Sequence, residues 1–169
     1  NITITVSNID YLNELLKLNP SNLKVHLKLN TGMNRLGLKK QEEVTYAYNA
    51  LLKSSINIEG IYSHIYNSSN EQDTNKQYEY FEYLTKNIDL SKIKIVHIDA
   101  STSLISYPKR PYCNGCRLGI IMYGLEDSTN TLESVYKLKS KVIQINEIEN
   151  ESVGYNGTYK TDKKELIAV

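Results

Sequence analysis

The sequence predicts an α/β fold built on a parallel sheet, and three observations support this prediction. Segments with strand-like alternation of apolar residues recur up to about residue 125. Between them lie segments whose apolar residues have helical spacing. Strands that alternate with helices are typical of parallel sheets, because each helix returns the chain to the start of the next strand. After residue 128 the alternation stops, and two short segments follow that favour antiparallel strands.

The individual elements follow from these patterns. Strands are predicted over residues 1–6, 24–29, 56–65, 93–98 and 118–123, which makes five β units. Helices are predicted over residues 8–17, 40–53 and 75–87; in the last of these Tyr78, Phe81 and Leu84 share one face. Residues 141–146 and 164–169 alternate like antiparallel strands. The boundary between the two patterns is predicted between residues 130 and 138.

Composition excludes several classes of function. The 169 residues include 20 basic and 19 acidic side chains, a net charge of +1, so neither a nucleic-acid footprint nor a polyanionic tail is present. No run approaches the ~18 apolar residues of a membrane span, and the first residues lack a basic leader region. We expect a cytoplasmic protein, which leaves open a membrane segment elsewhere in a longer parent.

The two cysteines, Cys113 and Cys116, have the spacing of thioredoxin-like redox sites and of half a zinc site. A zinc site needs two more ligands, and neither a second cysteine pair nor a nearby histidine supplies them. We interpret them as ordinary thiols in a turn, with a redox role as the open alternative. No metal is predicted.

The segment 24–37 combines a strand with a loop that contains one arginine. Val25, Leu27 and Leu29 alternate with polar residues, so a strand ends near residue 30. Two glycines, Gly32 and Gly37, then flank Arg35 and permit tight turns on either side of it. This pattern indicates either a loop that faces a ligand or an ordinary surface turn.

The string Thr-Gly-Met-Asn-Arg-Leu-Gly over residues 31–37 resembles the alanine racemase family, pyridoxal-phosphate enzymes of fold type III. The segments 56–64, 93–103, 117–124 and 152–159 extend the resemblance along nearly the whole chain. The resemblance implies a (β/α)8 barrel followed by a β-rich domain. Residues 1–136 would be the C-terminal part of the cofactor-binding barrel, about strands 4 to 8, and residues 137–169 the beginning of the C-terminal β domain.

A complete barrel needs ~250 residues, more than this chain has. The resemblance therefore implies a partial copy: the first barrel strand, with the lysine that binds pyridoxal 5'-phosphate covalently, would precede Asn1, and more of the β domain would follow Val169. We expect the isolated chain to be inactive.

The resemblance assigns Arg117 to the pyridine nitrogen of the cofactor. A guanidinium with a pKa above ~12 does not give up its proton, so it leaves that nitrogen largely unprotonated and the ring a weaker electron sink. Such restraint suits racemisation rather than transamination. Arg35 would contact the phenolic oxygen of the cofactor, and Lys28 lies where some relatives carry a carbamylated lysine that braces this arginine. Asn30 replaces an aspartate that the family often has near that lysine.

The remaining cofactor contacts are also implied by the resemblance. His64 would pack beside the pyridine ring, its alternative being a core histidine bonded to the backbone. His97 would hydrogen-bond to Arg117, its alternative being a bond to a loop carbonyl. The phosphate would be bound by the hydroxyl of Ser101 and the backbone N–H groups of Gly119 and Ile120.

One departure from the family pattern points to a subgroup. The chain has Ala100 before the phosphate-binding serine, where the family usually has asparagine. With Ile-Ser-Tyr-Pro at residues 105–108, this stretch is closer to the racemase domains of membrane-bound serine racemases from vancomycin-resistance clusters.

Tyr155 resembles the second catalytic base of the family, which reaches the active site of the other subunit of a dimer. Racemisation needs an acid and a base on opposite faces of Cα, and the lysine outside this chain would serve the other face. Gly154 and Asn156 replace residues that are common in relatives. Tyr159 is the alternative base, and a structural tyrosine in a turn is the other interpretation of Tyr155.

The resemblance implies a racemase that interconverts L- and D-alanine, or L- and D-serine, for peptidoglycan precursors. Two other classes stay open: a non-catalytic pyridoxal-phosphate carrier, and an inactive fragment that serves interactions. The carrier normally lacks a β domain, so the strands after Lys141 and the Tyr155 motif favour the racemase.

Overall fold

The computed structural model describes residues 2–125 and 131–169. They belong to two compact units, Asn1–Val135 and Tyr136–Val169. The first unit contains the parallel sheet and its helices, and the second contains short antiparallel strands. The two units are described separately below.

The first unit alternates strands and helices along the chain. Its strands are β1 (Thr3–Val6), β2 (Lys24–Lys28), β3 (Asn57–Tyr62) and β4 (Ile95–His97). Its helices are α1 (Ile9–Leu18), α2 (Gln41–Leu52), α3 (Glu71–Thr85) and α4 (Ser101–Ser106). Single-turn 3-10 helices cover Leu90–Lys92 and Ile120–Tyr123. This order confirms the α/β prediction.

The four strands form one sheet in the order β1-β2-β3-β4, with every pairing parallel. Beyond β4 the chain continues the sheet for a few residues, where Gly115 forms a parallel bridge with His97. The backbone N–H of Arg117 donates to the carbonyl of Asp99 over 2.7 Å. Consecutive strands that are also neighbours in the sheet are the arrangement of an α/β barrel.

The predicted fifth strand over residues 118–123 is wrong. The pairing with β4 occurs earlier, around Gly115, and Ile120–Tyr123 forms a 3-10 turn between two glycines. Gly124 ends this turn with φ 69° and donates its N–H to the carbonyl of Ile121 over 3.1 Å. The apolar run suggested a strand, but periodicity does not distinguish a short strand from a helical turn.

The two faces of the sheet differ in chemistry. One face packs on α1, α2 and α3 and forms a core that includes Val6, Leu12, Val25, Leu27, Leu29, Val44, Leu51, Ile61, Phe81, Leu84, Val96 and Ile98. The other face carries His26, Lys28, Tyr62 and His97. Lys28 pairs with Tyr62, and Tyr62 with His97, so these three side chains lie side by side.

The second unit contains two antiparallel pairs. Strand β5 (Ile145–Ile148) pairs with β8 (Glu165–Ala168), and β6 (Ser152–Val153) pairs with β7 (Tyr159–Lys160). A 3-10 turn, Tyr155–Gly157, connects β6 and β7. The predicted antiparallel pairing is confirmed, although β5 begins four residues later than expected. Within the described residues, no helix has the length and apolar character needed to cross a membrane.

Candidate functional site

Polar residues gather where β3, β4 and the segment after Gly115 end. His64, Ser101, Arg117 and Gly119 line one pocket of ≈ 230 Å³, together with Ala100, Thr102 and Ile120. A neighbouring pocket of ≈ 440 Å³ shares His64 and Arg117 and adds His97. The carboxyl ends of parallel strands are the usual place for ligands in α/β proteins. Of the six predicted cofactor-binding residues, all except Arg35 therefore line this pocket.

Arg117 is held by three aromatic side chains. Its Nε donates to Nδ1 of His64 over 3.3 Å, and one terminal nitrogen lies 3.5 Å from Nδ1 of His97. Its guanidinium carbon lies 4.5 Å from the ring centre of Tyr62, a cation–π distance. The guanidinium is therefore fixed in position and keeps its charge.

The two histidines that accept from Arg117 are neutral near pH 7. Burial, followed by the charge of Arg117, lowers the pKa of His97 from 6.5 to about 4. Burial and the same arginine also lower the pKa of His64. A neutral imidazole has one nitrogen that accepts a hydrogen bond, and in both rings Nδ1 takes that role, because a guanidinium can only donate.

Ser101 and Gly119 form the polar end of the pocket. The backbone N–H of Gly119 donates to the Oγ of Ser101 over 2.8 Å, and Ser101 is the first residue of α4. A Cβ placed on Gly119 would meet no heavy atom closer than this Oγ at 3.6 Å, so the backbone there is approachable. A hydroxyl and a backbone amide at the start of a helix are groups that bind an anion.

Lys28 and Arg35 contribute positive charge close to this pocket. Lys28 is only 5% exposed, and its Nζ lies 4.8 Å from the ring centre of Tyr62. Burial, then the charges of Arg117 and Arg35, lower the pKa of Lys28. Arg35 itself is exposed on its loop.

Asn30 shapes the loop that presents Arg35. Its Oδ1 accepts from the backbone N–H groups of Gly32 and Asn34, over 3.3 and 3.0 Å. Gly37, with φ 125°, closes the loop where a Cβ would lie 2.7 Å from the backbone nitrogen of Asn30. The residue that departs from the family pattern therefore has a structural role in this turn.

Tyr155 belongs to the second unit, where its side chain is 98% exposed. It opens the turn between β6 and β7, in which Gly154 and Asn156 both have positive φ, 71° and 62°. The hydroxyl of Tyr159 donates to Oε2 of Glu165 over 2.7 Å, and this carboxylate raises the pKa of Tyr159. A raised pKa makes Tyr159 the poorer base of the two predicted candidates.

Both cysteines are free thiols. Cys113 is buried, and burial, followed by the charge of Asp99, raises its pKa to about 12. Such a thiol stays protonated and unreactive near neutral pH. Across the described residues 2–125 and 131–169, no group of three metal-ligating side chains occurs.

Sequence reasoning missed three residues that lie beside or behind Arg117 and His97. Tyr62 stacks on His97 with ring centres 4.7 Å apart, and Nδ1 of His26 lies 3.1 Å from Nε2 of His97. Glu59 lies next to His26, with Oε2 4.0 Å from its Nε2. A signal for His26 was present in the alternation of β2, which places it on the same face as Lys28.

Comparison with known proteins gives a consistent result. The family model described as "Alanine racemase, N-terminal domain" matches residues 1–127. The chain is 33% identical over 179 aligned residues to a Streptococcus mutans protein named alanine racemase, an alignment that covers 99% of this chain and 47% of the relative.

Solved structures show the same likeness. A crystal structure of alanine racemase from E. faecalis superposes with a TM-score of 0.73 at 29% identity, covering 98% of this chain and 48% of that one. Alanine racemase from Bacillus anthracis, solved with bound L-Ala-P, gives a TM-score of 0.71 at 27% identity, with 98% and 47% covered. The chain spans about half the length of these relatives.

Proposed function

Because the chain belongs to the alanine racemase family, we propose that its first unit supplies part of the cofactor wall of a pyridoxal-phosphate-dependent amino-acid racemase. The complete protein would interconvert L- and D-alanine, or L- and D-serine, in the cytoplasm for peptidoglycan precursors. The observation that carries the proposal is one pocket whose lining includes both a fixed cation, Arg117, and the anion-binding pair Ser101 and Gly119.

The residues present fit pyridoxal phosphate. A phosphate dianion suits the hydroxyl of Ser101 and the amides of Gly119 and Ile120, with the Gly119 N–H exchanging the Oγ of Ser101 for a phosphate oxygen. An unprotonated ring nitrogen accepts a hydrogen bond, and Arg117 can donate this bond without giving up its proton. Bound there, the cofactor supplies the electron sink that lets the Cα proton of an amino acid be removed.

The histidines keep Arg117 in its role. Both accept from the guanidinium with Nδ1, so they orient its plane without competing for its charge. Their lowered pKa values keep them uncharged, which avoids like-charge repulsion beside an arginine. We assign His64 to the side of the cofactor ring, and Lys28 and Arg35 to its phenolic oxygen, Arg35 directly and Lys28 as its support.

Tyr155 is proposed as the base for one face of Cα, acting across the interface of a homodimer. Its exposed hydroxyl is available to a partner subunit, whereas the hydroxyl of Tyr159 is bonded to Glu165. The proton taken from one face would be returned on the other by the cofactor-binding lysine of the complete protein, which inverts the configuration.

The experiment uses the complete protein loaded with pyridoxal phosphate and follows the optical rotation of L-alanine and of L-serine. Arg117→Gln should reduce racemisation by about 10²-fold or more, the scale of losing an oriented donor at a reacting centre. Lys109→Gln is the matched control, since it removes one positive charge from an exposed position outside the pocket that Arg117 lines. Cofactor binding without turnover of either amino acid would instead favour a non-catalytic carrier.

A further inference from the structure

Four side chains form a continuous polar line from the pocket to the base of the sheet. One terminal nitrogen of Arg117 contacts Nδ1 of His97 at 3.5 Å, and Nε2 of His97 contacts Nδ1 of His26 at 3.1 Å. Nε2 of His26 lies 4.0 Å from Oε2 of Glu59. None of the proposed cofactor contacts uses His26 or Glu59.

Arg117 at one end of this line only donates and Glu59 at the other end only accepts, so every contact between them has the same donor-to-acceptor direction. A guanidinium only donates, so Nδ1 of His97 is the unprotonated nitrogen and its Nε2 carries the hydrogen. That N–H donates to His26, whose Nδ1 must therefore also be unprotonated. The hydrogen of His26 is then on Nε2, the nitrogen that faces Glu59. A carboxylate only accepts, so all three links agree on the same tautomers.

Glu59 is fixed as a carboxylate by its other partners. Its oxygens accept from Thr3 over 2.7 Å, from Lys24 over 3.0 Å and from Lys94 over 3.1 Å. These hydrogen bonds lower the pKa of Glu59 to about 2. It is therefore an anion whenever the protein is folded near neutral pH, and its charge favours a protonated Nε2 on His26.

The backbone has two local features that place this pair. The register between β2 and β3 shifts by one residue, since Val25 pairs with Ile58 and His26 with Gly60, which leaves Glu59 without a partner on β2. An extra residue of this kind changes the direction of a side chain relative to the pleat. Gly60 leaves room for the imidazole, because a Cβ there would lie 2.6 Å from the ring of His26.

We propose that His26 and Glu59 are positioning residues: they fix the tautomer of His97, and through it the orientation of the Arg117 guanidinium toward the cofactor. The importance for catalysis rests on the proposed function. Arg117 alone holds His97 weakly, because 3.5 Å is the outer limit of a hydrogen bond. The shorter contact with His26, whose hydrogen Glu59 favours on Nε2, adds a second constraint that selects the same tautomer.

The test is the tautomer of His97, measured by two-bond ¹H–¹⁵N correlation in protein labelled at the histidine rings. The chain has three histidines, so single His→Gln variants assign the signals. We expect Nδ1 of His97 to be unprotonated and Nε2 protonated. His26→Asn should preserve this state, because its amide oxygen can accept in place of Nδ1. His26→Phe and Glu59→Gln should give averaged shifts from two exchanging tautomers.

The controls separate loss of the tautomer from loss of the fold. Glu14→Gln removes one carboxylate from an exposed pair with Lys17 and should leave all three imidazoles unchanged. If His26→Phe does not fold, the His97 tautomer measured in Glu59→Gln tests the same proposal. A protonated Nδ1 on His97 in the unaltered protein, or an unchanged His97 spectrum in both His26→Phe and Glu59→Gln, would overturn the proposal.

The link to catalysis is tested on the complete protein loaded with pyridoxal phosphate. His26→Phe should lower kcat about tenfold or more with little change in KM, and His26→Asn should restore most of it, as for other groups that orient a catalytic ligand. Equal losses in both variants would contradict the positioning role. If the unaltered protein binds no cofactor, the proposed function fails, while the tautomer result still tests the polar line from Arg117 to Glu59.

Discussion

Arg117 lies at the centre of the proposed cofactor site, and its contacts determine how its charge is presented. Two neutral imidazoles and a phenol ring surround it, and the interactions described here include no carboxylate that pairs with it. A carboxylate partner would neutralise the guanidinium, whereas an imidazole orients it and leaves the charge free to act on a ligand. Burial, followed by the charge of this guanidinium, lowers the pKa values of both histidines.

Stability should therefore fall as the pH is lowered from about 6.5 toward 4. The pKa of His97 is lower in the folded state, so the unfolded chain binds more protons in this pH range. Acidification therefore stabilises the unfolded state relative to the folded state. Urea unfolding at pH 7 and pH 5 measures the effect, and we expect a lower free energy of unfolding at pH 5.

The variant His97→Gln serves as the control for this pH dependence, and it should make the free energy of unfolding depend less steeply on pH. The lowered pKa of Glu59 contributes in a different window, because its stabilisation is lost between about 4.5 and 2. An unchanged slope in His97→Gln would contradict the assignment.

Gly60 gives a second test at the residue scale. Gly60→Ala places a methyl group within 2.6 Å of the His26 ring, so the ring must move, and we expect a loss of about 1–3 kcal/mol. Gly119→Ala is the matched control, since its Cβ meets nothing closer than 3.6 Å. Thermal unfolding and the His26 ring signals measure both; equal effects of the two substitutions would contradict the packing argument.

Among the elements, the strands and helices of the first unit follow closely from the sequence. Apolar alternation in β2 and β3 and helical spacing in α1 and α2 predict these elements within a few residues of their observed ends. The prediction was wrong for residues 118–123, where flanking glycines make a turn, and it did not include α4. Short elements contain too few residues for a period to be read.

The start of α3 could not be predicted from the spacing of apolar residues. The predicted helix began at residue 75, but α3 begins at Glu71, because Oδ1 of Asn70 accepts from the backbone N–H of Asp73 over 3.0 Å. This is a side-chain N-cap, and asparagine is among the residues that favour it. The first turn is polar, so the apolar pattern alone could not reveal it.

Asn70→Ala should therefore destabilise the protein by about 0.5–2 kcal/mol, the usual loss for an N-cap. Asn70→Ser is the control, since a serine hydroxyl can also cap a helix and should retain most of the stability. Chemical denaturation followed by circular dichroism measures both variants. A loss in Asn70→Ser equal to that in Asn70→Ala would show that the cap is not the cause.

The site was predictable from the sequence only through resemblance to a family. Residue identity and spacing alone predicted an arginine in a loop and polar residues at the ends of several strands. They did not predict what these residues do. The structure brings His64, Ser101, Arg117 and Gly119 to one pocket. The line through His26 to Glu59 could not be read from the sequence, because it depends on a register shift and on the space above Gly60.

For the whole molecule, the proposed function gives the two units separate tasks. The first unit would supply the cofactor wall, and the second contains Tyr155 in the turn between β6 and β7. Tyr155→Phe in the complete protein should reduce racemisation by about 10²–10⁴-fold, the contribution of a general base, with little effect on cofactor affinity. Tyr159→Phe is the control and should retain activity. The reverse order of the two variants would make Tyr159 the base.

We propose that this chain is part of an enzyme that inverts the configuration of a small amino acid with pyridoxal phosphate. Conversion of L-alanine and L-serine to their D-enantiomers by the complete, cofactor-loaded protein, with Arg117→Gln beside it, tests this proposal. We expect conversion of at least one amino acid and a large loss in the variant. A folded protein that binds the cofactor and converts neither amino acid would contradict it.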